Sequence, residues 1–307
     1  MAAFGPASLS NLGPGFDTLG LCIKGIGDVV EASFSSTSGI TITSSDPIPL
    51  QPRANTAGSA AHLVMTKAGD KRGIHLHINK GIPLGSGIGG SAASASAGAW
   101  AVNLLLGKPF EKKELAYAVL ESERLASGGG LHGDNALPSL LGGLILTSPV
   151  SPLDYRRVNI TKDLHLVVIL PQRSILTADA RTILPSSVTR TDAVHNASDL
   201  VFMLHALVTG DWAALSPYMM RDRIVEPARA SLVPFYQDVR DAGLEAGACA
   251  VALTGSGPAM FAVAKDAEST SIIRDAMVEA AGEGARGIIT MADMDGVHEL
   301  THSECSL

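Results

Sequence analysis

The stretch "GIPLGSGIGGSAASASAGAW", residues 81–100, decides how this chain folds and raises the question of what it holds. Gly85, Gly87 and Gly90 satisfy the pattern G-x-G-x-x-G, and an Ala- and Ser-rich segment follows that predicts a helix over 91–106. A glycine loop that opens into a helix turns backbone N–H groups toward one point, where the helix dipole adds positive potential. The stretch by itself fits a phosphate-binding loop and one alternative equally well. The alternative is a glycine turn that only packs the helix against a sheet.

Two well-known phosphate loops share this spacing but fit it poorly. A dinucleotide loop needs a strand that runs straight into the first glycine and an acidic residue about 20 residues later. Here Pro83 precedes the first glycine, and "LLLGKPFEKKEL" (104–115) has the pattern of helix, loop and helix. A Walker loop needs a lysine after its second glycine, where this chain has Ser91. The stretch therefore favours a third way of holding phosphate.

Composition narrows the class of protein. The chain has 307 residues, 46% hydrophobic and 17% charged, which is typical of a globular protein with a large core. Its net charge is −7 and no dense basic run occurs, so a nucleic-acid partner is not expected. Cys22, Cys249 and Cys305 are scattered, which favours a reducing compartment. Since no signal peptide or membrane-length apolar run is present, we expect a soluble cytoplasmic protein without a membrane partner.

Strand and helix patterns mix throughout the chain. "HLHIN" (75–79) alternates apolar and polar residues like a half-buried strand, and "LHLVVILP" (164–171) is typical of a fully buried one. "EPARASLVPFYQDVRDAG" (226–243) predicts a single helix. The class is therefore α/β or α+β. The Ser/Pro-rich stretch 148–157 suggests a boundary between domains 1–158 and 159–307.

Two more glycine loops, "PASLSNLGPGFDTLGL" (6–21) and "ALTGSGPAMFAV" (252–263), suggest one composite site. Together with "PLGSGIGGSAAS" (83–94), they resemble in order and spacing the three motifs of the GHMP kinases. This is the family of galactose, homoserine, mevalonate and phosphomevalonate kinases. The resemblance covers nearly the whole chain and implies a two-domain α+β fold. The N-terminal α/β domain, of a type shared with ribosomal proteins, would hold the ATP loop, and the C-terminal domain would be a ferredoxin-like α/β sandwich.

Further segments resemble the homoserine kinases within that family, namely "HGDNALPSLLGG" (132–143), "TADARTILP" (177–185) and "RIVEPARASLVPFY" (223–236). This implies ATP-dependent phosphorylation of the side-chain hydroxyl of L-homoserine, the committed step toward threonine. A kinase for another hydroxy acid and a non-catalytic ligand sensor are the alternatives, and a homodimer is an open option. One departure is visible. Most members have Gly-Ser-Ser-Ala-Ala, whereas Gly90 replaces the first serine here, which puts one phosphate contact in question.

The resemblance also assigns residues to ATP and its metal. The ATP-binding positions are Asn55, Pro83, Leu84, Gly85, Ser86, Gly87, Ile88, Gly89, Gly90, Ser91, Gly255, Ser256 and Gly257. Asn55 would line the adenine pocket. Ser91 and Glu123 would hold Mg²⁺, a hard ion that prefers oxygen ligands. Glu121 is the alternative to Glu123, because the spacing from Glu123 to His132 is one residue longer than in relatives.

The implied substrate site needs a group for each part of a small amino acid. The substrate-binding positions are Asn11, Asp17, His132, Asn135, Thr177, Arg181 and Arg229, and the catalytic positions are Asn135, Asp134 and Ser91. Asp17 and Asn11 suit an ammonium group, while two arginines suit a carboxylate because a guanidinium offers a planar fork. Asn135 would align the hydroxyl for direct attack without a dedicated strong base. Asp134 is the fallback base.

Overall fold

The computed structural model describes residues 1–125, 130–160 and 163–301, which form eleven strands and ten α-helices. The strands are β1 (Ala2–Asn11), β2 (Gly15–Ser35), β3 (Ile40–Thr43), β4 (Gly73–Asn79), β5 (Leu144–Thr147), β6 (Tyr155–Val158), β7 (His165–Leu170), β8 (Ala250–Leu253), β9 (Met260–Ala264), β10 (Arg286–Met291) and β11 (His298–Leu300). The helices are α1 (Thr56–Ala68), α2 (Gly90–Leu105), α3 (Ala116–Glu123), α4 (Gly133–Leu141), α5 (Thr177–Thr182), α6 (Arg190–Thr209), α7 (Trp212–Met219), α8 (Glu226–Ala230), α9 (Tyr236–Glu245) and α10 (Thr270–Ala281).

The first sheet has the order β11-β1-β2-β4-β3, and β5 and β6 extend it from the long strand β2. The predicted alternation in β4 is confirmed. Ile74, Leu76 and Ile78 are fully buried, while His75 and His77 lie on the opposite face and bond to threonines of β3. Because β2 runs for 21 residues, it pairs with β1, β4 and β5 and joins these strands into one sheet.

Helix α2, predicted over 91–106, is confirmed and begins at Gly90. Its residues Ala92–Leu104 are all buried between the first sheet and α1. Small side chains permit this close approach. A Cβ on Gly98 would come within 2.7 Å of the Ala57 carbonyl oxygen, and a Cβ on Gly5 would overlap that of Ala93. Packing along the whole length of α2 therefore fixes the position of its first turn.

The second sheet is antiparallel, with the order β10-β7-β9-β8, and it confirms the expected ferredoxin-like sandwich. Strand β7 is buried on both faces, as its continuous apolar run predicts. Leu166 and Val168 join a core shared with β1 and β2, whereas Val167 and Ile169 pack in a core with α10. The core shared with β1 and β2 connects the two sheets, so the loops of both reach the same cleft.

Two features of the second half differ from or add to the predicted pattern. The single helix predicted over 226–243 is wrong, because α8 ends at Ala230 and α9 begins at Tyr236. Pro234 lies in the gap, where its ring would clash with the carbonyl of residue 230 in a continuous helix. Strand β11 returns to the first sheet and pairs with β1. The domain boundary between residues 158 and 159 stays a prediction. β11 belongs to the second half of the chain but pairs with β1 of the first half.

Two of the three cysteines lie in the described part of the chain. Cys22 is fully buried and Cys249 is half-buried, and both are free thiols. Cys305 lies outside the described residues. Within residues 1–125, 130–160 and 163–301, every helix is too short or too polar to cross a membrane.

Candidate active site

The three glycine loops meet in one cleft of about 360 Å³. They are tied to one another by hydrogen bonds that main-chain N–H groups donate. The N–H of Ser10 donates to Oγ1 of Thr254 at 3.1 Å, and the N–H of Ala259 donates to the Ser86 carbonyl oxygen at 3.1 Å. The composite site expected from the three separated loops is thus a single structural unit.

Most of the predicted site residues line this cleft. They are Asn11, Asp17, Asn55, Pro83, Leu84, Gly85, Ser86, Gly87, Gly89, Gly90, Ser91, Glu123, His132, Asp134, Asn135, Thr177, Arg181, Arg229, Gly255 and Ser256. Ile88 is instead buried in the core, and Gly257 is buried with Val233 beside it. Glu121 is partly exposed, forms an ion pair with Arg124 at 3.0 Å and does not line the cleft.

The glycine loop has the conformation its sequence requires. Gly85, Gly87 and Gly89 have φ values of 66°, 85° and 71°, in the region that favours glycine. α2 begins immediately afterwards, so its first N–H groups face the cleft. At Gly90, a Cβ would lie 3.0 Å from Cγ2 of Ile82 and 3.5 Å from Nζ of Lys80. The loop therefore both packs α2 and forms a wall of the cleft.

Lys80 is a cleft residue that sequence reasoning missed. Its side chain is only 7% exposed and forms an ion pair with the buried Asp28. Nζ of Lys80 also donates to the Gly90 carbonyl oxygen at 2.9 Å and to Oγ of Ser94 at 3.0 Å. Burial raises the pKa of Asp28, and Lys80 opposes that shift. The signal in the sequence is one charged residue between β4 and the loop, within "INKGIPLG".

Ser91 and Glu123 meet at the loop end of the cleft. Oγ of Ser91 donates to Oε2 of Glu123 at 3.0 Å. Oε1 of Glu123 is buried and has no hydrogen-bond partner among the described residues. Burial raises the pKa of Glu123 to about 7, the Ser91 hydrogen bond lowers it, and Asp134 raises it further. Elsewhere in the described ranges, too, no three His, Cys, Asp or Glu side chains form a ready metal cluster.

Helix α4 places Asp134 and Asn135 at the centre of the cleft. Its first turn lies directly on β2, where a Cβ on Gly20 would overlap the Asp134 carbonyl oxygen. Oδ1 of Asn135 accepts from Oγ of Ser8 at 3.0 Å, and its Nδ2 donates to Oγ of Ser10 at 3.0 Å. The Asn135 amide is therefore held in one orientation, with one N–H and one lone pair remaining.

Asp134 is a buried acid, only 4% exposed. Burial raises its pKa to about 7, and the nearby charge of Asp17 raises it further, while Arg181 lowers it. Ser8 and Ser10, the two hydrogen-bond partners of the neighbouring Asn135 side chain, were missed by sequence reasoning. Their signal is alternation along β1, because the neighbours Ala7 and Leu9 point into the core on the other side.

The amino-acid end of the cleft, defined by Asp17, Arg181 and Arg229, begins with an ion pair. Nη2 and Nη1 of Arg181 donate to the two carboxylate oxygens of Asp17 at 2.8 and 3.2 Å. Nδ1 of His132 lies 3.4 Å from Oδ2 of Asp17. Burial lowers the pKa of His132, and Asp17 opposes that shift. The backbone of Asp17 has a φ of 54° and donates its N–H to Oδ1 of Asn11 at 3.4 Å.

Arg229 completes this end of the cleft. It is 3% exposed, and it donates to the carbonyl oxygens of Gly255 at 2.6 Å and Ala180 at 3.3 Å. Its guanidinium carbon lies 5.0 Å from the Phe16 ring centroid, and that of Arg181 lies 5.5 Å from the same centroid. Burial, and then Arg181, lowers the pKa of Arg229 to about 10. The two arginines expected to converge do meet, and Phe16, which contacts both guanidinium groups, was missed.

Two buried acids hold α8, the helix that carries Arg229. The carboxylate of Asp222 accepts the N–H groups of Ile224, Val225 and Glu226 at 2.9, 3.2 and 2.7 Å. Oε1 of Glu226 accepts from the Tyr236 hydroxyl at 2.8 Å and from the N–H of Leu253 at 3.1 Å. Burial raises the pKa of Glu226 to about 7. α8 is therefore fixed to both β8 and α9.

Comparison with known proteins gives the family. Residues 55–143 match the family model for the GHMP kinases N terminal domain, and residues 203–284 match that for the GHMP kinases C terminal domain. The chain is 40% identical to a homoserine kinase of Methanopyrus kandleri over 86% of this chain and 87% of that one. It is 39% identical to a homoserine kinase of Arabidopsis thaliana, over 90% of this chain and 77% of that one. The chain belongs to the GHMP kinases.

Solved structures agree with this assignment. A homoserine kinase from Cytophaga hutchinsonii superposes with a TM-score of 0.92 at 34% identity, covering 97% of this chain and 96% of that one. A mevalonate kinase from L. major, covering 95% of this chain and 96% of its own, shares the fold with a TM-score of 0.73 at 17% identity. GHMP kinases transfer a phosphoryl group from ATP to a hydroxyl, so this chain is an ATP-dependent phosphotransferase in the group of the homoserine kinases.

Proposed function

We propose that this chain phosphorylates the side-chain hydroxyl of L-homoserine, giving O-phospho-L-homoserine and ADP. One observation carries the choice of substrate. Asp17, Arg181 and Arg229, from three distant segments, bring one negative and two positive groups to the same end of the cleft, beside Asn135. Homoserine carries an ammonium, a carboxylate and a hydroxyl group, and each finds a complementary group there. The relatives that are homoserine kinases over most of this chain support the same choice.

The substrate groups are assigned by charge. The carboxylate of Asp17 and the side-chain oxygen of Asn11 receive the ammonium group, with Thr177 and His132 beside it. Arg181 and Arg229 bind the substrate carboxylate through charge-assisted hydrogen bonds. Arg229 supports this assignment because it is almost fully buried, yet no Asp or Glu oxygen of the described residues lies within 4.0 Å of it. A buried guanidinium with only carbonyl oxygens and a ring as neighbours suits an anionic ligand.

ATP lies along the glycine loop. Its phosphates face the N–H groups of residues 85–91 and the third loop at Gly255 and Ser256. Asn55 lies at the other side of the cleft with Ile48 and Pro49, a mixed apolar and amide surface that suits adenine. The Asn55 side chain accepts from the N–H of Gly58 at 3.1 Å and donates to the Pro49 carbonyl oxygen at 2.8 Å, so it is held in place.

Mg²⁺ fits the pair formed by Ser91 and Glu123. Mg²⁺ takes one or two protein oxygens and completes its shell with phosphate oxygens and water. Oε1 of Glu123, buried and without a partner among the described residues, is such an oxygen. When bound there, the ion neutralises charge on the transferred phosphoryl group. Glu123 rather than Glu121 is the ligand we propose, since Glu121 pairs with Arg124 on the surface.

The reaction is direct attack. The oxygen of the substrate hydroxyl bonds to the γ-phosphorus of ATP, and the bond from that phosphorus to the bridging oxygen breaks, leaving the electron pair on ADP. Phosphoryl transfer has a loose transition state, so alignment and charge stabilisation supply most of the rate. Asn135, fixed by Ser8 and Ser10, aligns the hydroxyl. The proton of the substrate hydroxyl leaves as the new bond forms. Asp134, whose pKa is raised to about 7, accepts this proton.

Substrate choice is tested by measuring ADP release from ATP and Mg²⁺ with homoserine, mevalonate, galactose or no acceptor. Of these four conditions, we expect ADP release above background only with homoserine. Turnover of mevalonate or galactose without homoserine would instead favour a kinase for another acceptor, and binding without ADP release would favour a ligand sensor. The homodimer and the cytoplasmic location stay predictions, and light scattering of the purified protein tests the first of them.

A further inference from the structure

The two arginines at the amino-acid end of the cleft are not equivalent. Each terminal nitrogen of Arg181 donates one N–H to an oxygen of Asp17, at 2.8 and 3.2 Å, and its Nε is buried, without a hydrogen-bond partner among the described residues. Arg229 donates only to two carbonyl oxygens and faces Phe16. One guanidinium therefore already carries a carboxylate in the geometry that a substrate carboxylate would take, and the other does not.

Because Nε is buried, a carboxylate from the cleft that binds Arg181 in a bidentate manner uses the same two terminal nitrogens and must displace Asp17. The Asp17 side chain is only 15% exposed, so water cannot fully take over the role of its partner. The remaining close cation is His132 at 3.4 Å, which is charged only when protonated. Asp134 is a further acid near enough to interact with Asp17. A displaced Asp17 without a new cation is a poorly compensated charge in a largely buried site, which is unfavourable.

We propose, on the basis of the function given above, that Asp17 competes with incoming carboxylates for Arg181, so that this site selects zwitterions. A ligand with both charges exchanges one ion pair for two, because its carboxylate takes Arg181 while its ammonium takes Asp17. A ligand with a carboxylate alone breaks the Asp17–Arg181 pair and leaves Asp17 without a counter-charge. Asp17 thus contributes to specificity in two ways, by attracting an ammonium and by rejecting anions that lack one.

Two analogues of homoserine separate these contributions. 4-Hydroxybutyrate keeps the carboxylate and hydroxyl but lacks the ammonium, and 3-amino-1-propanol lacks the carboxylate. On the native chain, both are expected to inhibit homoserine phosphorylation only at concentrations about 100-fold above the KM for homoserine, since each loses at least one charge-assisted contact. The informative quantity is how their inhibition constants change in a variant that no longer carries the Asp17 charge.

The variant is Asp17→Asn, which keeps the size of the side chain and removes its charge. We expect the KM for homoserine to rise about 10- to 100-fold, because the ammonium loses its partner. The inhibition constant of 4-hydroxybutyrate should move the other way and fall about 2- to 10-fold, because Arg181 is no longer shared. Calorimetric titration of homoserine and 4-hydroxybutyrate measures their dissociation constants and gives the same comparison without relying on turnover.

Asp179→Asn is the matched control. Asp179 is exposed on α5, two residues from Arg181, so this variant removes an equal charge without touching the ion pair. It should leave both constants unchanged. Equal shifts in the two variants would mean that long-range charge is responsible and would overturn the proposal. So would weaker binding of both ligands to Asp17→Asn, as a merely structural Asp17 predicts. Absence of homoserine turnover in the native chain would instead reject the proposed function, whatever the variants do.

Discussion

The two ends of the cleft are built in different ways. At the loop end, residues 85–91 are consecutive in the chain, and the main chain and the start of α2 supply most of the polar groups. At the amino-acid end, Asp17, Arg181 and Arg229 come from β2, α5 and α8, and the groups that carry charge are side chains. The loop end depends on local backbone conformation, whereas the amino-acid end depends on how the second sheet packs against the first.

This difference separates the expected roles of the two ends. Backbone N–H groups and a metal site act on the phosphoryl group as charge develops, so changes there should lower kcat. Charged side chains that bind the unreacting part of the substrate act equally on ground and transition states, so changes there should raise KM. The comparison fails if variants at the two ends have the same kinetic signature.

The largest effect is expected at the loop end, from Glu123→Gln. The amide oxygen can still accept the hydrogen bond from Ser91 Oγ, but the negative charge is lost, so the proposed Mg²⁺ site is weakened. We expect kcat to fall about 10²- to 10³-fold. The fall should be partly reversed at high Mg²⁺ concentration, measured by a titration of steady-state rates.

Glu121→Gln is the control for this variant, because Glu121 lies two residues away and pairs with Arg124 on the surface. It should leave kcat and the Mg²⁺ dependence unchanged. If the two variants exchanged these outcomes, Glu121 would be the metal ligand. Unchanged kinetics in both would remove the acid from the proposed metal site altogether.

A smaller effect, of a different kind, is expected at the amino-acid end from Arg229→Met. Methionine keeps much of the apolar stem and its packing on Phe16, but it loses the charge that we propose binds the substrate carboxylate. The KM for homoserine should rise about 10- to 100-fold, while the KM for ATP stays nearly constant. Arg173→Met, on an exposed position, is the control. Equal rises in both KM values would mean that Arg229 only supports the fold.

The smallest effect on activity is expected from Glu226→Gln, which changes the support of α8. The pKa of Glu226 is raised from its ordinary 4.5 to about 7, so the folded chain keeps a proton that the unfolded chain loses in this range. Its contribution to stability is therefore present at low pH and is lost as pH rises from 4.5 to 7. An amide oxygen can still accept from Tyr236 and Leu253, and it does not titrate.

The free energy of unfolding of the variant should accordingly gain on that of the native chain by up to about 1.4 kcal/mol per pH unit across this window. Denaturant unfolding at several pH values between 4.5 and 7.5 measures it. A constant difference between the two proteins over the whole range would show that Glu226 does not titrate there. Homoserine turnover at pH 7.5 should change less than in the other two variants.

Much of the fold was predictable because its signals are local. The alternation of β4, the continuous apolar run of β7 and the Ala-rich α2 all appear as predicted. The break between α8 and α9 was misread because the apolar pattern continues across it, although Pro234 marks the place. Lys80 was missed for a different reason, since its role comes from Asp28 and Ser94, which are distant in the chain.

The sequence by itself determined the backbone of the loop end of the cleft, because glycine spacing and a following helix set its conformation within ten residues. That this backbone binds phosphate is a prediction that rests on the three motifs together. The three motifs, and the resemblance they carry, indicated the family, which the comparisons confirm, and they predicted which side chains belong to the site. Only the tertiary structure decided how those side chains meet. It places Asp17 in the fork of Arg181, brings Phe16 against both arginines and puts Glu123, not Glu121, beside Ser91. Charges act through space, and the distances between residues so far apart in sequence are set by packing of the two sheets.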